Sequence, residues 1–313
     1  MYFPDYQSFK KAANGVRRVP VYRTLIADSL TPIAALAKLK AAKGSNAFGF
    51  LLESVTGGEK IGRYSFCGVS PCRIVSASVG GKLTDYASGE PVADGDPLDA
   101  LRDMIKTDFS AAAIPGLPRF AGGAVGCFSY DVMRLSESLK NPPPTPPHLN
   151  DVPDLFFMIF DEMLIFDHVN KTTMVVAHAL TPDDKPSIGM LREAYDNAKR
   201  RVDSIVDIIK QNDPLDIYDV QTADETGLTI DSNFTKPAFC SAVEKCKEYI
   251  AAGDIFQVVL SQRLHTTTTA EPLAIYRSLR IINPSPYMFF LDFGGKFQLI
   301  GASVAGSAAA TEQ

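Results

Sequence analysis

Asn283-Pro284-Ser285-Pro286-Tyr287-Met288-Phe289-Phe290-Leu291-Asp292-Phe293-Gly294 is the stretch on which the reading of this chain turns. Asn283 and Ser285 each precede a proline, and that position is pushed out of the helical region, so the backbone extends or turns at both. Tyr287 to Phe293 then reads as an aromatic-rich strand. Gly294-Gly295 supplies the turn into a second strand, Lys296 to Gly301. On these grounds alone the segment is a buried hairpin. Past Gly301-Ala302-Ser303 the sequence runs Val304-Ala305-Gly306-Ser307-Ala308-Ala309-Ala310-Thr311-Glu312-Gln313, without apolar periodicity or turn chemistry, and 304–313 reads as a disordered tail.

Ahead of the hairpin, Thr235 caps a helix whose expected inward face is Phe239, Val243, Cys246 and Ile250, with Gly253 closing it. Ile255 to His265 reads as a strand, and Glu271-Pro272 opens a helix carrying Leu273, Tyr276 and Leu279. Residues 233–303 are thus expected to begin a second α/β lobe that is too small to close a sheet and therefore poorly folded. The polar, acidic stretch 213–232 reads as a linker, leaving 1–212 as a first lobe.

That first lobe alternates strands with a few helices. Thr31-Pro32 is an N-cap followed by a proline at the first helical position, with Ile33, Leu36 and Leu39 inward and Gly44 ending the helix. Asp96-Pro97 repeats the device. Strands are expected at Ala47–Glu53, Tyr64–Val69, Arg73–Val79, Lys82–Tyr86, Leu155–Phe160, Met163–His168 and Thr172–Leu180, followed by a long amphipathic helix from Ile188 to about Lys210. Asn141 to His148 is a stiff polyproline connection. Gly122-Gly123-Ala124-Val125-Gly126 has neither dinucleotide nor P-loop spacing, so its glycines read as close backbone packing in a twisted strand.

Composition narrows the function classes. With 46% hydrophobic and 21% charged residues, 313 residues can build one large or two ordinary cores. A formal net charge of -5 argues against nucleic acid and anionic membrane as partners. No apolar run has transmembrane length, and Met1 to Tyr6 lacks the regions of a signal peptide, so a cytoplasmic protein is expected. Five cysteines without a CxxC read as reduced thiols, and four scattered histidines show no zinc-ligand spacing.

Five segments, in order, carry a family resemblance: Leu51-Leu52-Glu53-Ser54; Gly62-Arg63-Tyr64-Ser65-Phe66; Gly116-Leu117-Pro118-Arg119-Phe120-Ala121-Gly122-Gly123; Ala251 to Arg263; and Asn283 to Met288. Together they resemble component I of anthranilate synthase, over roughly Tyr22 to Ser303; the related aminodeoxychorismate synthase component I is the alternative branch. The resemblance implies a four-layer α/β/β/α fold of antiparallel sheets in two lobes, with the second lobe incomplete here. It also implies conversion of chorismate and ammonia to anthranilate and pyruvate. A glutamine amidotransferase subunit would supply the ammonia, Mg2+ would assist, and L-tryptophan would inhibit by feedback.

Mg2+ prefers oxygen ligands, and the family's metal- and chorismate-binding motifs follow the Gly-Ala-Ser segment. Val304 stands where the family has Pro, and the later motifs do not occur, so no catalytic or metal residue is carried over and the chain is expected to be inactive as it stands. A tryptophan-binding or amidotransferase-docking fragment is the non-catalytic alternative. What the resemblance does carry over is the tryptophan site, onto Glu53, Ser54, Pro286, Tyr287 and Met288. Glu53 would attract an α-ammonium, Ser54 would hydrogen-bond the amino-acid head, and Tyr287 and Met288 would contact the indole. Glu53-Ser54 also reads as an ordinary strand end, and Tyr287-Met288 as core.

Overall fold

The computed structural model describes residues 1–54, 62–137, 152–181, 186–211, 215–217 and 228–303. The polyproline connection, linker residues 213–214 and 218–227, and the 304–313 tail lie outside them. In chain order the helices are α1 (Tyr6–Ala12), α2 (Pro32–Lys43), α3 (Pro97–Asp108), α4 (Met133–Ser136), α5 (Ile188–Ile209), α6 (Lys236–Ala252) and α7 (Pro272–Ile282). The strands are β1 (Arg18–Ile26), β2 (Gly49–Glu53), β3 (Tyr64–Val69), β4 (Arg73–Ala77), β5 (Thr84–Asp85), β6 (Gly123–Phe128), β7 (Leu155–Phe160), β8 (Glu162–Asp167), β9 (Thr172–Leu180), β10 (Asp231–Ser232), β11 (Leu264–His265), β12 (Tyr287–Asp292) and β13 (Gln298–Ser303).

Two compact units form, and they are not the expected lobes. One is Met1–Leu215 together with the chain from Pro272 onward; the other is Asp216–Glu271. The hairpin β12–β13 is therefore not stranded in an unfinished second sheet. It completes a seven-stranded sheet of the first unit, in the order β1-β9-β8-β3-β2-β12-β13. Every pairing in that sheet is antiparallel, and β12 lies on β2 with Met288 opposite Glu53 and Asp292 opposite Gly49. The expectation of a poorly folded second lobe fails for this hairpin because its missing sheet partner is the strand carrying Leu51-Leu52-Glu53. A four-stranded sheet, β5-β4-β7-β6, accompanies it in the same unit.

Period-two alternation gives the large sheet two apolar faces. On one, Leu51, Cys67, Leu164, Val175, Met288 and Phe290 pack with Leu36 of α2, Val202 and Val206 of α5, and Tyr276 of α7. On the other, Phe50, Ile165, Val176 and Leu291 meet Val125, Phe156, Met158 and Phe160 of the four-stranded sheet. The outer face of the smaller sheet, Val75, Leu155 and Ile159, is covered by Ala100, Leu101 and Met104 of α3. Lys40 of α2 reaches across to the buried Asp292 carboxylate and to the Ala47 carbonyl (3.1 Å), pinning the end of β12.

Two glycine expectations have direct causes. A Cβ on Gly126 would lie 2.0 Å from the Phe156 carbonyl oxygen, so β6 and β7 approach that closely only with glycine there. Gly294 and Gly295 make the hairpin turn at φ 71° and 72°. A Cβ on Gly294 would also strike the Phe48 ring at 2.5 Å.

The unit Asp216–Glu271 is built differently. Thr235 caps α6, its hydroxyl accepting from the Ala238 amide (3.4 Å), and Gly253 ends it in the left-handed region. None of the α6 residues is buried, so the expected inward stripe Phe239, Val243, Cys246, Ile250 covers no core there. The expected strand Ile255–His265 forms only at Leu264–His265, opposite the two residues of β10. No other strand of this unit offers a ladder partner among the described residues, and an unpaired extended segment has its backbone groups left to water. Phe256 and Val259 are 93% and 82% exposed. Among the described residues, no helix is long and apolar enough to cross a membrane.

Amide exchange separates these two environments. The β12 amides, in a strand flanked by β2 and β13, should be protected to the same degree as β2. Residues 255–262 should exchange at close to the unstructured rate. Exchange mass spectrometry finding β12 as labile as 255–262 would contradict the sheet order.

Candidate functional site

Strand β2 brings together what the sequence holds far apart. Because Met288 pairs with Glu53 and Phe289 with Leu52, the Glu53-Ser54 end of β2 lies beside the Pro286-Tyr287-Met288 start of β12. A cleft of about 440 Å³ opens there and touches all five residues named from the resemblance: Glu53, Ser54, Pro286, Tyr287 and Met288.

The strand alternation then divides them. Leu52, Phe66 and Phe289 lie across one another on β2, β3 and β12, and Tyr64 and Tyr287 fall two residues away on the same face. That face forms the wall of the cleft, with Tyr287 half exposed. Arg63 stands at its rim, its guanidinium carbon 4.9 Å from the centre of the Tyr64 ring. The side chains of Glu53 and Met288 turn to the opposite face. Met288 is buried in the helix-side core while also bordering the cleft.

Glu53 also differs from its expected role. Its carboxylate is buried and already engaged: Oε2 accepts from the Tyr276 hydroxyl (2.7 Å), and Oε1 accepts from Arg280 Nη2 (3.3 Å). Arg280 Nε stands 3.1 Å from Oε2. Tyr276 and Arg280 are four residues apart on α7 and so share one helical face. Burial raises the Glu53 carboxyl above its ordinary range, with the Arg280 charge and the Tyr276 hydroxyl opposing that shift only in part. Burial, then the Glu53 charge, pushes the Tyr276 phenol upward, so it stays protonated and donates. Ser285 adds a further tie, its hydroxyl donating to the Ser303 carbonyl across the foot of the hairpin.

Sequence reasoning missed Leu52, Arg63, Tyr64, Phe66 and Phe289 as cleft residues. Arg63, Tyr64 and Phe66 sit within a motif already quoted, and their two-residue spacing on a strand was the available signal. Among the described residues, no three His, Cys, Asp or Glu side chains converge on one point.

The model of the family described as "chorismate binding enzyme" matches residues 50–305, taking in both strands of the cleft. The chain belongs to that family. It is 36% identical over 315 residues to anthranilate synthase component 1 of Acetivibrio thermocellus, a match covering 97% of this chain and 59% of the relative. It is 37% identical to the Synechocystis protein of the same name, covering 97% and 59%. The crystal structure of anthranilate synthase component I from Streptococcus pneumoniae superposes with a TM-score of 0.60 at 26% identity, over 90% of this chain and 57% of that one. The chain thus spans under two thirds of the length of these relatives.

The Glu53–Tyr276–Arg280 cluster has a measurable signature. Tyr276→Phe deletes a hydrogen bond to a charged group and should cost about 1.5–3 kcal/mol in urea unfolding. The Glu53 carboxyl is raised in the folded state, so the folded chain holds a proton that the unfolded chain has released. Its favourable contribution is present below about pH 4.5 and is lost as pH rises through the folded value. Glu53→Gln cannot ionise, so its stability relative to the wild type should improve as pH rises across that window. A difference that stays flat with pH would contradict the raised carboxyl.

Proposed function

We propose that the chain acts as part of an anthranilate synthase component I and that its cleft binds free L-tryptophan as a feedback inhibitor. In this reading the whole protein converts chorismate and ammonia to anthranilate and pyruvate with Mg2+, the ammonia coming from a glutamine amidotransferase partner. The observation that carries the tryptophan assignment is the register of β12 on β2, which sets one continuous aromatic wall beside Ser54 and Arg63. A flat apolar ring suits Leu52, Tyr64, Tyr287 and Phe289, and offset or edge contacts between aromatic groups add about 0.5–1.5 kcal/mol each. A guanidinium at the rim suits a carboxylate. Arg63 is already paired with Asp167 (2.9 Å), and burial-opposed hydrogen bonds hold that carboxylate ionised, so the guanidinium is oriented before any ligand arrives.

The chain contains no Trp, so added tryptophan can be followed by its own fluorescence. A saturable shift is expected. Ser54→Phe should weaken it by about five- to 150-fold, the equivalent of roughly 1–3 kcal/mol of overpacking. Tyr287→Ala, at a half-exposed position, should also weaken it without unfolding the chain. Met288→Ala should instead act mainly on stability, because a buried Met→Ala truncation costs about 2–5 kcal/mol. A shift unchanged in Ser54→Phe and Tyr287→Ala would show that the site is elsewhere.

The 313 residues by themselves are expected to form no anthranilate from chorismate, Mg2+ and ammonium, since the motifs that the resemblance assigns to metal and chorismate have no counterpart in this sequence. Loss of even one donor that stabilises the transition state costs on the order of 10²–10³ in rate. Mg2+-dependent appearance of anthranilate fluorescence would overturn this.

A further inference from the structure

Behind β2, on the face opposite the aromatic wall, lies a second and polar cleft of about 530 Å³. The approach to α2, the β8–β9 turn and Arg280 of α7 bound it, and Glu53 and Ser54 border both clefts.

Its charges are unevenly engaged. Asp167 is taken up by Arg63 (2.9 Å), by the amides of Val169 (3.1 Å) and Asn170 (3.0 Å), and by the Asn170 side chain (2.9 Å). Glu53 is held by Tyr276 and Arg280. Lys171, in the left-handed region at φ 55°, has no hydrogen bond or ion pair among the described residues. Arg280 Nε is buried and lacks a hydrogen bond of good geometry, despite lying 3.1 Å from a Glu53 oxygen. His168 Nε2 is 2.7 Å from the Ser65 hydroxyl. His168, Lys171 and Arg280 line the same cleft, and burial, then the Lys171 and Arg280 charges, lower the His168 pKa against the pull of Asp167. Asp28 at the edge is the one carboxylate bordering the cleft without a partner among the described residues.

We infer that this cleft is a site for a small anion, a phosphate or a carboxylate, held by Lys171 and Arg280 beside His168. An unpaired ammonium and a guanidinium lining one polar cavity are the arrangement that recognises such groups. Arg280 is shared between this site and Glu53, so an anion here competes with Glu53 for the guanidinium. Resting on the tryptophan reading above, occupation of the polar cleft frees the Glu53 carboxylate at the corner of the aromatic one, where it can meet an α-ammonium. Binding at the two clefts is then mutually favourable, and equally so in both directions.

Titrating the full chain with inorganic phosphate and, separately, with acetate, by calorimetry in a buffer free of other anions, tests the site without tryptophan. At least one of the two should bind saturably, the stronger showing whether a tetrahedral or a planar anion fits. Lys171→Gln, at an exposed turn position, should weaken it about ten-fold with unfolding unchanged; Arg280→Gln should weaken it too, with a loss of stability because the buried Glu53 carboxylate loses its cation. Asp28→Asn removes the unpaired carboxylate at the edge of the cleft and should tighten both probes; weaker binding of either would overturn the assignment. No saturable binding of either probe, or binding indifferent to Lys171→Gln, overturns the site. Phosphate binding without any tryptophan response would leave this site standing and sink the tryptophan reading instead. Tryptophan affinity that does not rise at saturating anion would overturn the coupling.

Discussion

The antiparallel pairing of β12 with β2 is the constraint on which the rest depends. It joins residues more than two hundred positions apart, brings α7 onto the helix side of the sheet and sets Tyr276 beneath Glu53. Neighbouring strands differ in face by a single residue of register, so a slip of one position would exchange Leu52 for Glu53 at the cleft wall. The burial of Met288 and Phe290 on one side and of Leu291 on the other makes such a slip costly. The same pairing thus specifies the fold and the chemistry of both clefts.

Local signals were legible and long-range ones were not. The α2 cap at Thr31, whose hydroxyl accepts from the Ala34 amide (3.1 Å), the β7 to β9 strands and the Gly294-Gly295 turn all follow from residues close in sequence. β1 escaped notice because Pro20 interrupts its pattern. It is tolerated since β1 is the edge of the sheet, where a missing N–H need not break a ladder. The hairpin itself was read correctly while its destination was not, because nothing in Tyr287–Phe293 names the strand it pairs with.

The site divides along the same line. Five of the residues lining the cleft were expected from motifs, but which face each side chain takes depends on the register with β2. Glu53 looked like a free acid at a strand end. Its engagement with Tyr276 and Arg280 needed the docking of a helix 223 and 227 residues away. Ile255–His265 failed in the opposite sense: a sound strand pattern that finds only the two residues of β10 to pair with is exposed coil ahead of Leu264. A pattern states a preference, and the ladder decides whether it is met.

The sheet order also bears on how the chain is made. β2 leaves the ribosome early, and its neighbour β3 follows within about twenty residues, but its other edge waits for β12. Until synthesis has passed residue 292, the hydrogen-bonding groups of Gly49–Glu53 and the apolar Phe50 and Leu51 have no strand to cover that side. An open edge of this kind is a template for any other extended segment, including one from a second nascent chain. The interval between β2 and β12 is therefore a period in which this protein is exposed to misassembly. The Lys40–Asp292 contact can form only once residue 292 has been made, at the close of that interval.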